Sequence, residues 1–330
     1  MVNIIETKNL SKTYNGKIKA VDNLNITIQE GEIYGLLGPN GAGKTTTINM
    51  LTTRLSPTSG TATVAGLDVI KDSMKVRRIL GVVPQDLTAD EDLTGRENLE
   101  LVAKFYDVPR EKAKERIDSL LKMVEMTEAS TRYVKGYSGG MRKRLELIIG
   151  LVNDPKILFL DEPTLGLDVQ TRSLMWKYVR QIQQNLNVTI ILTSHYLEEI
   201  DALAEHVSIV DHGKILITGT PEELKASLKG DVITVSFKEQ HEAEAMKNIS
   251  GVIEATDSGP NTVRIKVENA DDSLPGIINF ISENKLSTVR LTVTKPTLDE
   301  VFLEYTGRDI RSEEPTDARK AMMNMRRVRQ

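Results

Sequence analysis

Gly38-Pro39-Asn40-Gly41-Ala42-Gly43-Lys44-Thr45 has the spacing G-x-x-x-x-G-K-[ST] of a phosphate-binding loop. Before it runs Ile33-Tyr34-Gly35-Leu36-Leu37, a short apolar stretch that reads as a buried strand; after it a helix is predicted through roughly Arg54. Strand, glycine loop and helix in that order separate this stretch from a chance glycine-rich turn. The glycines let backbone N–H groups curl around a phosphate with no Cβ in the way, and the helix N-terminus adds partial positive charge. Lys44 supplies a point charge for the outer phosphates, and Thr45 a hydroxyl suited to Mg²⁺. Gly38, Pro39, Asn40, Gly41, Ala42, Gly43, Lys44, Thr45 and Thr46 are the candidate nucleotide-binding residues.

Working outward, Ile157-Leu158-Phe159-Leu160-Asp161-Glu162 is a second apolar strand that ends in two carboxylates. Open α/β sheets bind ligands at the carboxyl ends of their strands, where such a pair is delivered. Asp161 suits Mg²⁺ coordination, direct or through water, and Glu162 suits a general base that polarises an attacking water. On its own the pair would read equally as solvated strand-end charge; after a phosphate loop the catalytic reading leads.

The rest of residues 1–229 fits the same α/β domain. Leu24, Ile26 and Ile28 alternate as a half-buried strand does, Pro57-Thr58-Ser59-Gly60 reads as a turn, and Val188-Thr189-Ile190-Ile191-Leu192 is a third buried strand. A helix between the strands at 157 and 188 implies a parallel sheet. A helical insert is predicted over about 86–150, with Thr94-Gly95-Arg96-Glu97 as a capping box and Leu120, Leu121 and Val124 at helical spacing. After Gly230 the rhythm changes. Ile233, Val235 and Phe237 alternate, as do Val263, Ile265 and Val267, and Val289, Leu291 and Val293. Helices are predicted at about 241–249 and 274–284, with a turn at 257–261. The order β-α-β-β-α-β is ferredoxin-like, so residues 230–308 are expected to form a small α+β domain. The polar, basic tail over 309–330 is expected to be disordered.

Composition narrows the function classes. With 39% hydrophobic residues, the 330-residue chain can bury a sizeable core. A net charge of −4 without a basic stripe argues against nucleic acid as a partner. The absence of cysteine excludes disulfides, thiol nucleophiles and cysteine-bound metals. The N-terminus lacks the pattern of a secretory signal, and the apolar stretch at 145–152 is far short of a membrane span. Any membrane work falls to another chain.

Tyr137-Ser138-Gly139-Gly140-Met141 opens a helical run that leads into the strand at 157. A helix tip with two glycines is again a place for an anion. The phosphate loop, Gln85 in VVPQD, the YSGGM stretch, ILFLDE, Leu165-Gly166-Leu167-Asp168 and His195 in TSHYLEE stand in one order. In that order the chain resembles the ATP-binding-cassette (ABC) ATPases over about 4–229. Pro296 to Arg308, PTLDEVFLEYTGR, is similar to the C-terminal stretch of the drug-resistance type of exporter ATPase.

The resemblance implies a P-loop ATPase that forms a head-to-tail homodimer, with ATP and Mg²⁺ held between the phosphate loop of one copy and Ser138, Gly139 and Gly140 of the other. It implies that Gln85 sits near Mg²⁺ and the attacking water, that His195 bonds the γ-phosphate and orients Glu162, that Asp168 acts at the dimer interface, and that Tyr14 stacks on adenine. Packing is the rival reading of Tyr14, and a surface amide that of Gln85. Met141 stands where glutamine is common; the phosphate contact rests on the serine and glycines. Leu165 stands where a small hydroxyl residue is common and cannot donate a hydrogen bond across an interface.

The implied partner is an integral-membrane permease with a short helix docked on the insert, whose charges, Glu111, Lys112, Lys114, Glu115 and Arg116, equally read as a solvated face. The implied place is the cytoplasm, peripheral on the cytoplasmic face of the cell membrane, and the implied direction is export. The alternative is a non-transport ABC ATPase acting on a nucleic-acid or ribosomal partner. The short spacing from Gly38 to Tyr137, too short for a long coiled coil, and the single phosphate loop speak against it.

Overall fold

The computed structural model describes residues 2–228, 230–239, 243–259 and 261–307. The chain divides into two compact units, one ending at Pro221 and the other beginning at Glu222. The division falls before the position expected from sequence; Lys229 and the tail 309–330 lie outside the described residues.

The first unit opens with β1 (Asn3–Tyr14), β2 (Ile18–Leu24), β3 (Thr27–Gln29) and β4 (Ile33–Leu37), followed by α1 (Lys44–Leu51). Next come β5 (Ser59–Val64), β6 (Leu67–Asp68), α2 (Ser73–Arg78) and β7 (Leu80–Val83). The insert supplies α3 (Gly95–Phe105), α4 (Arg110–Met123) and α5 (Gly139–Ile149). Then follow β8 (Ile157–Asp161), α6 (Val169–Leu186), β9 (Thr189–Ser194), α7 (Leu197–Leu203), β10 (His206–Asp211) and β11 (Lys214–Gly219).

The main sheet has the order β11-β10-β4-β9-β8-β7, parallel except for β11. β4, β8 and β9 are buried along their whole length, which is why they read as unbroken apolar runs. Register decides what this sheet can do. Leu37 pairs with Ser194 and Asp161 with Thr193, so the chain leaves β4, β8 and β9 at one edge, carrying Gly38, Glu162 and His195 to the same place.

The second sheet, β2-β1-β5-β6 with β3 on β1, is antiparallel. One apolar cluster joins it to the main sheet, with Ile48, Met50 and Leu51 of α1 between Ile5 and Leu10 on one side and Phe159 and Ile191 on the other. Each such side chain contributes about 1.5–3 kcal/mol on burial, so the helix that follows the phosphate loop is firmly seated. The turn expected over 57–60 is shorter than read: β5 already begins at Ser59. Gly60 has φ 82°, and a Cβ there would lie 2.2 Å from the Asn9 carbonyl oxygen. The glycine marks a close approach of two strands at an irregular register rather than a reversal.

In the insert the capping box forms as predicted. Thr94 Oγ1 accepts the Glu97 N–H at 3.2 Å, and Glu97 Oε2 accepts the Thr94 N–H at 2.7 Å. Gly81 of β7 lies against the end of α5, where a Cβ would sit 1.9 Å from the Gly150 carbonyl oxygen. Only glycine lets the strand leading to Gln85 pack this closely on that helix.

The second unit takes in nearly all of α8 (Pro221–Ser227), then β12 (Asp231–Phe237), β13 (Val252–Gly259), β14 (Thr262–Val267), α9 (Ala270–Glu283), β15 (Thr288–Thr294) and α10 (Leu298–Thr306). Its antiparallel sheet runs β13-β14-β12-β15, the ferredoxin-like order. Ile233, Val235, Phe237, Val263, Ile265 and Val267 form its core with Ile277 of α9. One detail differs from the sequence reading. The first predicted helix is only a 3₁₀ turn at Ala243–Met246, with 241 and 242 outside the described residues. The strand expected at Val289, Leu291 and Val293 is present, and these residues are 66%, 36% and 38% exposed at the edge of the sheet. Alternation reports a strand but not its place in the sheet.

Among the described residues no helix is long and apolar enough to cross a membrane.

Candidate functional site

Between β4 and α1 the backbone turns through Gly41 at φ 82° and Gly43 at φ 104°, angles that side-chain-bearing residues rarely adopt. The loop is also hemmed in: a Cβ on Gly38 would meet the Val210 carbonyl oxygen at 2.2 Å, and one on Gly43 the Ala20 carbonyl oxygen at 2.4 Å. Lys44 is buried and bends back over the loop, its Nζ donating to the carbonyls of Gly38 at 2.6 Å and Pro39 at 3.1 Å. Burial pushes its ammonium below the usual lysine range. These carbonyls hold the charge where the outer phosphates of a nucleotide would take it over.

The end of β8 meets this loop. Thr45 Oγ1 donates to Asp161 Oδ1 at 3.2 Å, and Thr193 Oγ1 donates to the same oxygen at 2.6 Å. Thr45 and Asp161 line a cavity of about 200 Å³ together with Gln85, Asp86 and Asn49. Glu162, at φ 50°, stands in a conformation unusual for a non-glycine residue. Its N–H donates to the carbonyl oxygen of Thr193 at 3.2 Å and to its Oγ1 at 3.1 Å, which fixes the turn. The carboxylate lies between two basic groups. Lys44 Nζ is 3.5 Å from one oxygen; His195 Nδ1 is 3.1 Å from the other, an approach whose angle falls short of a hydrogen bond. Burial pushes the Glu162 carboxyl up, but His195 and Lys44 together outweigh it and hold the group below the usual range.

Gln85 is exposed at the end of the segment after β7. Its carbonyl accepts Lys143 Nζ of α5 at 3.0 Å, and three residues on, Glu146 Oε1 and Oε2 accept the N–H groups of Thr88 and Ala89 and the Thr88 hydroxyl at 2.6–2.8 Å. The Gln85 loop and α5 are thus tied together. Tyr14, 38% exposed, ends β1 on the hairpin whose other strand passes Gly43, with Lys12 Nζ 5.6 Å from its ring.

Ser138, Gly139 and Gly140 do not join this cluster; they start α5 elsewhere on the unit. Ser138 caps the helix by accepting the Met141 N–H at 3.3 Å. Gly140 abuts Thr171 of α6, whereas a Cβ on Gly139 would meet nothing within 4 Å. Asp168 also serves its own chain, capping α6 by taking the Thr171 N–H at 3.0 Å and hydroxyl at 2.7 Å. Thr193, Lys143 and Glu146 were missed by the sequence reading. Thr193 and Glu146 are polar residues within apolar runs, a signal visible in the string, whereas Lys143 is hidden among flanking arginines; the partner of each lies tens of residues away.

Comparison with known proteins agrees with this geometry. Residues 21–165 match the ABC transporter family, and residues 219–306 match the C-terminal domain of DrrA1-3-like ATP-binding proteins. The daunorubicin resistance ATP-binding protein DrrA3 of Streptomyces coeruleorubidus is 40% identical over 92% of this chain and 96% of its own. Among solved structures, cbiO1 of Clostridium perfringens, part of the ABC transporter complex cbiONQ, superposes with a TM-score of 0.64 at 28% identity, covering 68% of this chain and 92% of that one. The ATP-binding cassette MJ0796, in a dimeric post-hydrolysis state with ADP and Pi, does so at 0.59 and 27%, covering 66% and 98%. Likeness extending through both units, over a crevice with this arrangement of lysine, carboxylates and histidine, leaves one assignment: the chain belongs to the ATP-binding subunits of ABC transporters, in the group that carries a DrrA-like C-terminal domain, and is an ABC ATPase.

Proposed function

We propose that this subunit binds MgATP and hydrolyses it between two copies of itself, driving export through a separate membrane permease. The observation that carries the reading is an incomplete site. Lys44, Asp161, Glu162 and His195 converge at one sheet edge, while Ser138–Gly140 stand apart at a helix tip where, among the described residues, nothing lies within 4 Å of a Cβ placed on Gly139. A second copy, turned head to tail, would supply that tip to the γ-phosphate, whose charge both anion sites could share. Loss of the γ-phosphate would weaken the closed pair, giving a population shift between open and closed forms.

In this reading each residue takes a role. The phosphate loop, Gly38 to Thr46, would wrap the β- and γ-phosphates, with Lys44 exchanging its carbonyl partners for them. Tyr14 would lie against adenine. Thr45 Oγ1 and Asp161 are hard oxygen donors held side by side, which fits Mg²⁺, with Gln85 on the cavity rim. Among the described residues no group of three or more His, Cys, Asp or Glu could hold a metal, so phosphate and water would complete the shell. When bound, Mg²⁺ would neutralise charge on the phosphate oxygens. Glu162 would orient and deprotonate the attacking water, held by Thr193 and faced by His195. Asp168 would act at the dimer interface through the loop it ends.

The cytoplasmic face of the membrane is where a subunit fed by ATP would work. The name of the Streptomyces relative suggests drug export as its role. Purification from native membranes is expected to bring a multi-helix permease with the subunit; co-purifying ribosomes or DNA in its place would overturn the transport reading. A second expected result concerns Gly139. Gly139→Trp fills the open space at the helix tip, so ATP-driven dimerisation, read by light scattering, should fall at least about tenfold, the equivalent of about 1.4 kcal/mol. Monomer affinity for ATP should stay within about twofold. Unchanged dimerisation would place the partner's nucleotide elsewhere.

A further inference from the structure

Beside the crevice lies a buried acid that none of these roles uses. Glu199, on α7, has no exposed surface. Its Oε1 accepts Thr164 Oγ1 at 2.8 Å and the indole N–H of Trp176 at 3.2 Å. Ser194 is also close enough to act on the carboxyl, yet Oε2 completes no hydrogen bond. Burial pushes the group above the usual carboxylate range, with only partial relief from these neighbours and from Arg172. The Arg172 guanidinium lies 4.1 Å from the Tyr196 ring and has a buried Nε with no partner. Oε1 satisfies two donors, but the unsatisfied Oε2 makes a carboxyl a costly way to do so.

What the carboxyl joins accounts for it. Thr164 stands two residues past Glu162, in the loop that runs on to Asp168; Ser194 and Tyr196 flank His195; Trp176 lies on α6, which Asp168 caps. Three segments carrying the chemistry meet on one side chain. We propose that Glu199 is a positioning residue for hydrolysis, holding the loop after β8 and the loop after β9 at a fixed spacing so that Glu162, His195 and Asp168 reach ATP together. The proposal rests on the reading of Glu162 and His195 given above.

Trp176 is the one tryptophan of the chain, so its emission reports on this junction directly. The experiment measures MgATP turnover and tryptophan fluorescence for Glu199→Leu, Thr164→Val and Glu199→Gln in the full chain, with Glu162→Gln in parallel. Glu199→Leu and Thr164→Val should each lower kcat about 10- to 100-fold, with KM for ATP within about threefold, because alignment is lost while the phosphate loop is untouched. Glu199→Leu should also shift Trp176 emission relative to the parent, because the indole N–H loses its acceptor, whereas Glu199→Gln should leave it close to the parent's. Glu199→Gln keeps an oxygen for both donors and should recover kcat to within about fivefold of the parent. If Glu199→Leu does not fold, Thr164→Val, which keeps the shape of the side chain, decides alone. Wild-type kcat in Thr164→Val overturns the proposal, as does a parallel loss of kcat and ATP affinity that Glu199→Gln does not restore. Normal turnover by Glu162→Gln would instead remove the underlying reading; blocked turnover there beside intact turnover in Thr164→Val removes only the positioning role.

Discussion

Glu162→Gln should still bind ATP, hydrolyse it about a thousandfold more slowly and accumulate as an ATP-bound dimer, the loss expected when a general base is removed. Glutamine matches glutamate in shape, and the backbone that shapes the site is unaffected: the residue 162 N–H would still reach both oxygens of Thr193. What disappears is the oxygen charge that takes the proton of the attacking water. The charge also has a cost before catalysis. Buried and anionic, Glu162 faces the place where the γ-phosphate would sit, so its neutral amide should favour the ATP-bound form.

In the structure the carboxyl is held below its usual range, partly by Lys44 at 3.5 Å. A carboxylate so stabilised is a weak base. Once Lys44 turns to the phosphates, that contribution is withdrawn and added negative charge works the other way, so the carboxyl should strengthen as a base when ATP arrives. Phosphate release and size-exclusion chromatography with light scattering test the variant together. Hydrolysis within about tenfold of the parent would mean that another group handles the proton.

The sequence was most informative where chemistry is local. Gly38 to Thr45 announces its own flanks, and β4, β8 and β9 are legible because strands buried on both faces are continuously apolar. The capping box at Thr94 likewise needs only four residues. Long-range pairing was not legible. Nothing in the string says that Thr193 grips Asp161, that Glu146 holds Thr88 and Ala89, or that Glu199 meets Thr164, since each contact depends on sheet register or helix packing. The exposure of β15 has the same origin: Val289, Leu291 and Val293 alternate as a strand should, but their place at the sheet edge is not written in the string. Ser138 and Asp168 show the converse. Both were read as interface residues, and within their own chain both cap helices, a role the sequence reading did not assign.

Lys44→Ala should raise the Kd for MgATP about 100- to 1,000-fold, equivalent to about 3–4 kcal/mol. The magnitude is a difference between two sets of partners. Without nucleotide, the ammonium is satisfied by the carbonyls of Gly38 and Pro39 and by proximity to Glu162. Phosphate oxygens must therefore replace existing contacts rather than fill a void, which keeps the effect below that of an isolated ion pair at low dielectric. They still win, because charge-assisted hydrogen bonds to phosphate are roughly twice as strong as bonds to neutral carbonyls. Alanine would further leave Glu162 buried without its lysine neighbour, and a less compensated carboxylate repels the incoming triphosphate. Titration calorimetry on the isolated chain measures the affinity directly. Lys44→Arg should not rescue it: the larger, planar guanidinium cannot fold back over a loop so closely bounded by the Val210 and Ala20 carbonyls. A Kd within about threefold of the parent in Lys44→Ala would show that the glycine loop binds something other than the outer phosphates of ATP.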